Sequence, residues 1–351
     1  MADERASDRT TARATAPLRI SFVGGGTDFP HYYDRHGGAV LSATIDRCAH
    51  VDVTVRPDRR VSIRSLDLGH LVGYHLEEGP TYDGVMDLPK AAIERIGVHS
   101  GVDVDIASDA PPGSGLGGSS ALVTACVGAL AALGERTLTT TGVAELSYAI
   151  ERQDLGIAGG WQDQYAAAFG GMNLLEFSAG SVDVTPLAID DEGLAELRAH
   201  LLLCYTGAVR TDLGLIDTQI RLFEEGREET IVGMKELQAL AFEMRDAVEA
   251  GDLRGLGTML REAYESKKRM NPHIAEGTPI ERLLAAAQDA GAWGGKICGA
   301  GGGGFVLVAC DPGRQPDVRS ALEAEGGRFT DFAFRREGVV AETATSTWRP
   351  A

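Results

Sequence analysis

The sequence predicts an α+β chain of two lobes. Its 351 residues exceed what one small core needs and suit two. Alternating β-prone stretches and helix-period stretches are mixed along the chain rather than strictly alternating, which argues against a doubly wound sheet. Three glycine clusters, at 23–28, 111–121 and 299–304, punctuate the pattern. Aromatic residues are only 6% of the chain and glycine numbers 45, so close backbone packing must supply much of the core.

Residues 1–16 are polar, lack the apolar run of a signal peptide and read as a disordered lead-in. "PLRISFVG" (17–24) alternates and enters a glycine turn, which predicts a strand. "AHVDVTVRP" (49–57) predicts a half-buried strand, with "RVSIRS" (60–65) as its hairpin partner across "DR". "PKAAIERI" (89–96) opens a helix with Pro89 at the first position. "GVDVDIAS" (101–108) is a strand that runs into "PPGSGLGGSSAL" (111–122). Leu122, Cys126, Leu130 and Leu133 then share a helix face, with Ser119 or Ser120 as its N-cap. A second helix is expected over 141–155, stopped by Gly156.

"LLLCYT" (201–206) predicts a buried strand, and a boundary before it divides the chain into units of 17–195 and 196–351. Ile231, Met234, Leu237, Ala241, Met244 and Val248 mark a long amphipathic helix. A helix over 279–290 ends at Gly291, and "FVLVAC" (305–310) is a buried strand after the third glycine cluster. One more helix (316–325) and strands at 328–335 and 338–343 complete the reading.

The formal net charge of −18 repels a polyanion, which excludes nucleic acid as an expected partner; a local basic pocket can still take a small anion. No run is apolar and long enough to suggest a membrane partner. The five cysteines form no CxxC and no zinc-finger spacing, which disfavours structural zinc and suits a reducing cytoplasm.

"GSGLGG" (113–118) matches a dinucleotide fingerprint. The acidic residue about 20 positions on, Glu135, ends a helix with no strand before it, so the match is partial. No lysine lies between 91 and 234, which excludes a Walker A loop there, and no HRD or DFG is present. Uncovered amides at a helix N-terminus still make an anion site without lysine, and the serines add hydroxyls for phosphate or Mg²⁺.

"PLRISFVGGGTDFP", "PPGSGLGGSSA" and "KICGAGGGGFV" resemble, in that order, the three motifs of the GHMP kinases. The "GGGTD" form and "GGWQDQYAAAFGG" (159–171) are similar to the D-glycero-D-manno-heptose 7-phosphate kinases, which phosphorylate an anomeric C1 hydroxyl. The resemblance implies a nucleotide-binding lobe like domain 2 of ribosomal protein S5 and a ferredoxin-like C-terminal lobe. It implies a monomer or homodimer acting on a sugar phosphate and ATP, with Mg²⁺ as cofactor. Asp163 matches the catalytic base, and Arg19 the basic residue that pairs with it and offsets charge on the γ-phosphoryl group. Pro112, Gly113, Ser114, Gly115, Leu116, Gly117, Gly118, Ser119 and Ser120 match the phosphate loop. Ser119 and Glu151 match the Mg²⁺ contacts.

Gly25 and Gly26 stand where galactokinase-like members carry a Glu and a His at the sugar's far end. Two missing side chains suggest a roomier pocket, suited to a longer sugar phosphate. Thr27, Asp28, Gly159, Gly160, Gly301 and Gly302 join them as expected substrate contacts. Arg210, Lys267, Lys268 and His31 are candidate cations for a remote phosphate, and Lys296 supports the nucleotide loop or faces water. An octose 8-phosphate kinase, a fucokinase-like enzyme and a non-catalytic sensor of this fold stay open as alternatives.

Overall fold

In the computed structural model, which describes residues 8–208 and 214–347, the strands form two separate sheets. The first half contains β1 (Asp8–Val23), α1 (Pro30–His36), β2 (Gly38–Val55), β3 (Arg60–Ser65), β4 (Leu71–His75), α2 (Asp87–Ile96) and β5 (Val102–Ser108). It continues with α3 (Gly118–Leu133), α4 (Thr140–Tyr148), a π-helical turn (Ala149–Asp154), α5 (Gln162–Phe169), β6 (Met172–Ser178) and β7 (Ser181–Pro186). The second half holds α6 (Asp191–Ala199), β8 (Leu201–Tyr205), α7 (Leu215–Glu224), α8 (Glu228–Glu249) and α9 (Leu253–Met270). It ends with α10 (Ile280–Asp289), β9 (Gly294–Ile297), β10 (Phe305–Ala309), α11 (Gln315–Ala324), β11 (Arg328–Phe329) and β12 (Val340–Thr347).

The first sheet runs β12-β1-β2-β5-β3-β4, with β6 on β2 and β7 on β6. The second is antiparallel and ordered β11-β8-β10-β9, the ferredoxin-like order. Helix α3 lies against the first sheet and is buried on nearly every side, through Ala121, Val123, Ala125, Val127 and Ala129 among others. Small residues allow this closeness: a Cβ added at Gly128 would stand 3.0 Å from Val339. This is the backbone packing that the scarcity of aromatics predicts.

Several expectations are corrected. Residues 8–16 are not a lead-in: β1 starts at Asp8 and pairs with β12 from Asp8 to Thr15. The same pairing puts 340–347 in the first sheet, so the chain does not divide cleanly into 17–195 and 196–351. The expected boundary region also contains α6. Strand β3 does not pair with β2; β5 lies between them, antiparallel to β2 and parallel to β3. Tight two-residue hairpins need two residues that accept positive φ, and "DR" supplies only Asp58, with arginine where glycine is wanted. Pro89 is the third residue of α2, where its missing N–H is still harmless. Of the strand expected over 328–335, only β11 and an isolated bridge at Phe334 form.

Candidate active site

Strand β5 delivers the chain into the glycine loop. Gly113, Gly115 and Gly117 adopt φ of +75°, +78° and +74°, a left-handed conformation that glycine takes without strain. Gly117, not Ser119 or Ser120, is the N-cap of α3, and no side chain caps the helix. The first-turn amides of Gly118, Ser119 and Ser120 therefore have no carbonyl four residues back and point out of a 16-residue helix. Leu116 is buried and anchors the loop. Its carbonyl accepts from Arg19 N at 2.9 Å, and its N–H reaches Ser114 Oγ at 3.3 Å. The third glycine cluster braces the loop from the second lobe. Phe305 N donates to Ser114 O at 3.0 Å, and a Cβ on Gly304 would stand 2.4 Å from that carbonyl.

Arg19, on β1, joins this loop to α5. Its Nε and Nη2 both reach Asp163 Oδ1, at 2.8 and 2.7 Å, and Nη1 donates to Gly115 O at 2.7 Å. Arg19 is 5% exposed, whereas the Asp163 side chain is 20% exposed. Among the described residues nothing bonds Asp163 Oδ2. One carboxylate oxygen is thus tied through Arg19 to the glycine loop, and the other has no partner among the described residues.

Glu151 projects from the π-helical turn that replaces the end of the helix expected over 141–155. π-turns change the face a residue presents. Glu151 is buried, and its carboxylate accepts from Ser119 Oγ and Ser120 Oγ, both at 2.7 Å, and from Gln164 Nε2 at 2.7 Å. Arg152 Nη1 lies 3.4 Å from Oε1. The donor set suits Mg²⁺: two hard oxygens, Ser119 Oγ and Glu151 Oε1, are 2.7 Å apart at the helix N-terminus. These two oxygens would hold the ion, with water and nucleotide phosphate filling its other positions.

The first motif differs from expectation. Thr27 is fully buried and saturated by Gly24 O at 2.8 Å and by Ala39 O and N, each at 3.1 Å. It holds the turn, with its hydroxyl already committed to backbone groups. Asp28 is also buried: Oδ1 accepts from Gly26 N at 2.9 Å and Oδ2 from Gln162 N at 3.1 Å. Burial pushes its carboxyl above the ordinary range, with the Asp163 charge adding, while the two amides oppose the shift. Asp28 therefore ties the motif to α5. Gly160 allows this, because a Cβ there would lie 2.0 Å from Asp28 Oδ2. A Cβ on Gly159 would strike the Arg152 guanidinium at 2.3 Å. The Tyr148 ring stacks on Trp161 at 3.5 Å and steadies the entry to α5.

Gly25 and Gly26 do not open a void. A Cβ at 25 would stand 3.1 Å from Gln162 Nε2; one at 26, at φ +107°, would meet Gln219 Nε2 at 2.7 Å and Met270 Sδ at 2.9 Å. Glutamine and methionine side chains from other elements fill the space. Gly301 and Gly302 dock on the second lobe's own turn: Gly302 N donates to Ile274 O at 2.8 Å, and a Cβ on Gly301 would overlap Ile274. These contacts hold the third motif in place.

The candidate cations separate. His31 is exposed and 3.4 Å from Glu224. Lys268 pairs with Glu265 and Glu281 on the surface. Lys267 is buried on α9. Arg210 lies outside the described residues. Lys296 is buried, with Nζ donating to Ser21 O at 2.6 Å and Ile297 O at 2.7 Å. Burial, with Lys267 and Arg19 nearby, pushes it down to about 7. Sequence reasoning gave no role to Gln162, Gln164 or Gln219; no short-range pattern marks a side chain whose partner is remote in the chain.

A helix start with bare amides, a carboxylate pinned by arginine and a ferredoxin-like second lobe make the two-lobed arrangement of a phosphotransferase. The chain belongs to the GHMP kinases: residues 85–171 match the GHMP kinases N terminal domain and residues 244–328 the GHMP kinases C terminal. It is 36% identical to the D-glycero-alpha-D-manno-heptose 7-phosphate kinase of Campylobacter jejuni, over 94% of this chain and 98% of that one. It superimposes with a TM-score of 0.79 and 30% identity on a D-glycero-D-manno-heptose 1-phosphate kinase from Bacteroides thetaiotaomicron, covering 95% of this chain and 100% of that one. It is also 28% identical, over 92% of its length, to the L-fucokinase/L-fucose-1-P guanylyltransferase of Bacteroides fragilis, of which it spans 37%. It is a sugar kinase with ATP as co-substrate. Among the described residues no helix is long and apolar enough to cross a membrane.

Proposed function

We propose that the chain transfers the γ-phosphoryl group of ATP to the anomeric C1 hydroxyl of D-glycero-D-manno-heptose 7-phosphate, giving the 1,7-bisphosphate. The observation that carries the chemistry is Arg19, whose guanidinium is shared between Asp163 Oδ1 and the carbonyl of Gly115 in the phosphate loop. The end-to-end likeness to heptose kinases supports the sugar.

The sugar hydroxyl attacks the γ-phosphorus in line. Its O–P bond forms, the bond to the ADP oxygen breaks, and Asp163 takes the hydroxyl proton through Oδ2. General-base help of this kind contributes roughly 10²–10⁴-fold. The amides of 117–120 and Arg19 offset charge that grows on the transferring group. Ser119 and Glu151 would hold Mg²⁺, which when bound would supply charge neutralisation to the nucleotide phosphates. Lys267, with Arg210, is assigned the remote phosphate by a cation's attraction to the dianion. The five free cysteines, all buried, and the need for ATP suit a cytoplasmic enzyme, acting as a monomer or homodimer.

A coupled ADP-release assay with Mg²⁺-ATP tests the reading. Its panel is the heptose 7-phosphate, an octose 8-phosphate, mannose 6-phosphate, galactose and L-fucose, with Asp163→Ala as blank. Turnover of the heptose 7-phosphate, abolished in the blank, is expected. Preference for fucose would replace the acceptor and keep the kinase.

A further inference from the structure

We propose that Gln162 is a specificity-determining residue that reads a hydroxyl of the sugar from the place where Gly25 has no side chain. The proposal deepens the sugar-kinase reading and rests on it. Gln162 is the neighbour of Asp163 on the first turn of α5, so its position is set by the same helix as the base. Its backbone N–H is spent on Asp28 Oδ2. Its carboxamide lies over Gly25: a Cβ there would be 3.1 Å from Nε2 and 3.8 Å from Oε1, with Ser21 Oγ at 3.5 Å. Glycine at 25 is thus what admits the amide.

Among the described residues, Gln162 Oε1 is buried and accepts no hydrogen bond. Native proteins rarely leave such an atom unpaired without a ligand or a strain role. With no protein group fixing its last torsion, either the oxygen or the NH₂ can turn to a hydroxyl, and a sugar ring offers both donors and acceptors. Gln164, two residues on, also has a buried, unpaired Oε1, but its NH₂ is committed to Glu151 and Ser120, which fixes its last torsion where that of Gln162 is left free. The two glutamines flank the base, one holding the metal-side carboxylate and one facing the acceptor. A site built to bond a hydroxyl discriminates strongly against a substrate that lacks it.

The test compares wild type, Gln162→Leu and Gln162→Glu in steady-state kinetics with the sugar the wild type turns over best and with its monodeoxy analogues. The expected result is a rise of about tenfold or more in the sugar KM of Gln162→Leu, with the KM for ATP unchanged. One deoxy analogue should be poor for the wild type yet no poorer for Gln162→Leu, and Gln162→Glu, which keeps an acceptor, should recover part of the loss. Unchanged ATP affinity shows that the variants fold. An unaltered sugar KM in Gln162→Leu, beside an active wild type, overturns the proposal alone. No turnover of any sugar by the wild type overturns the sugar reading and the proposal with it.

Discussion

Arg19 commits three nitrogens to two partners, and no other residue type can do so from that position. Lysine offers one point charge where a planar fork bonds both Asp163 Oδ1 and Gly115 O. Arg19→Lys is therefore expected to lower kcat by roughly 10²–10³-fold, the scale of losing one preorganised charge-stabilising group. Rapid-quench measurement of the first turnover checks this; a kcat within a factor of two of wild type would remove Arg19 from the reaction. Lys296 makes a prediction in pH. Its folded value, about 7, lies below the ordinary 10.5, so between those limits the unfolded chain binds the extra proton. The group then adds stability as pH rises from about 7 to 10, and below 7 the buried charge is a penalty. Lys296→Met lacks the titration. The wild-type stability relative to the variant should climb over that window in urea denaturation, and a flat difference contradicts the assignment. The pairing of Arg19 with Asp163 and the closeness of Ser119 to Glu151 were legible in the sequence through the motif frame. The burial of Thr27 and Asp28 was not, because their saturation depends on Ala39 and Gln162, partners the linear motif does not contain.

At the scale of elements, the junction of β5 and α3 is where local sequence and function agree. Alternation ends at Ser108, three glycines take positive φ, and a helix starts with bare amides. Gly117→Ala puts a Cβ at φ +74° and 3.3 Å from Arg19 Cγ. We expect a stability loss of about 1–3 kcal/mol from the backbone strain and a clear fall in affinity for a non-hydrolysable ATP analogue, read by calorimetry. Gly180→Ala is the control: φ there is +87° with nothing within 4 Å, so it should lose stability but not nucleotide affinity. The helix over 141–155 was legible as a helix. Its change to a π-helical turn was not, since Ala149–Asp154 carries no proline or glycine to mark a break. The turn matters because it brings Glu151 to Ser119 and Ser120. The hairpin of β2 with β3 failed for a different reason. Pairing across a sheet depends on which third strand competes, and β5, with Val102, Val104 and Ile106 buried, took the place between them.

In the whole molecule, the site exists only where two lobes meet. Lys296 Nζ on Ser21 O, Phe305 N on Ser114 O and Gln219 Nε2 on Gly26 O are the hydrogen bonds that bring the third motif and α7 onto the first two motifs. The order of the three glycine clusters was legible in the sequence; which of them presents bare helix-start amides and which braces another was not, because it depends on this docking. The chain's end also returns to the beginning through β12 on β1. Removing residues 340–351 should uncover the β1 edge and the face of α3 at Gly128. Thermal unfolding should then show a midpoint lower by several degrees, with a tendency to aggregate through the open edge. An unchanged midpoint would make β12 dispensable. The central claim, that this two-lobed site phosphorylates an anomeric hydroxyl, is tested most directly by phosphorus NMR of the product formed from Mg²⁺-ATP and D-glycero-D-manno-heptose 7-phosphate. The account predicts a new sugar phosphate resonance coupled to the anomeric proton, beside the retained 7-phosphate and ADP, and absent with Asp163→Ala. A phosphate on any other carbon, or inorganic phosphate alone, would contradict it.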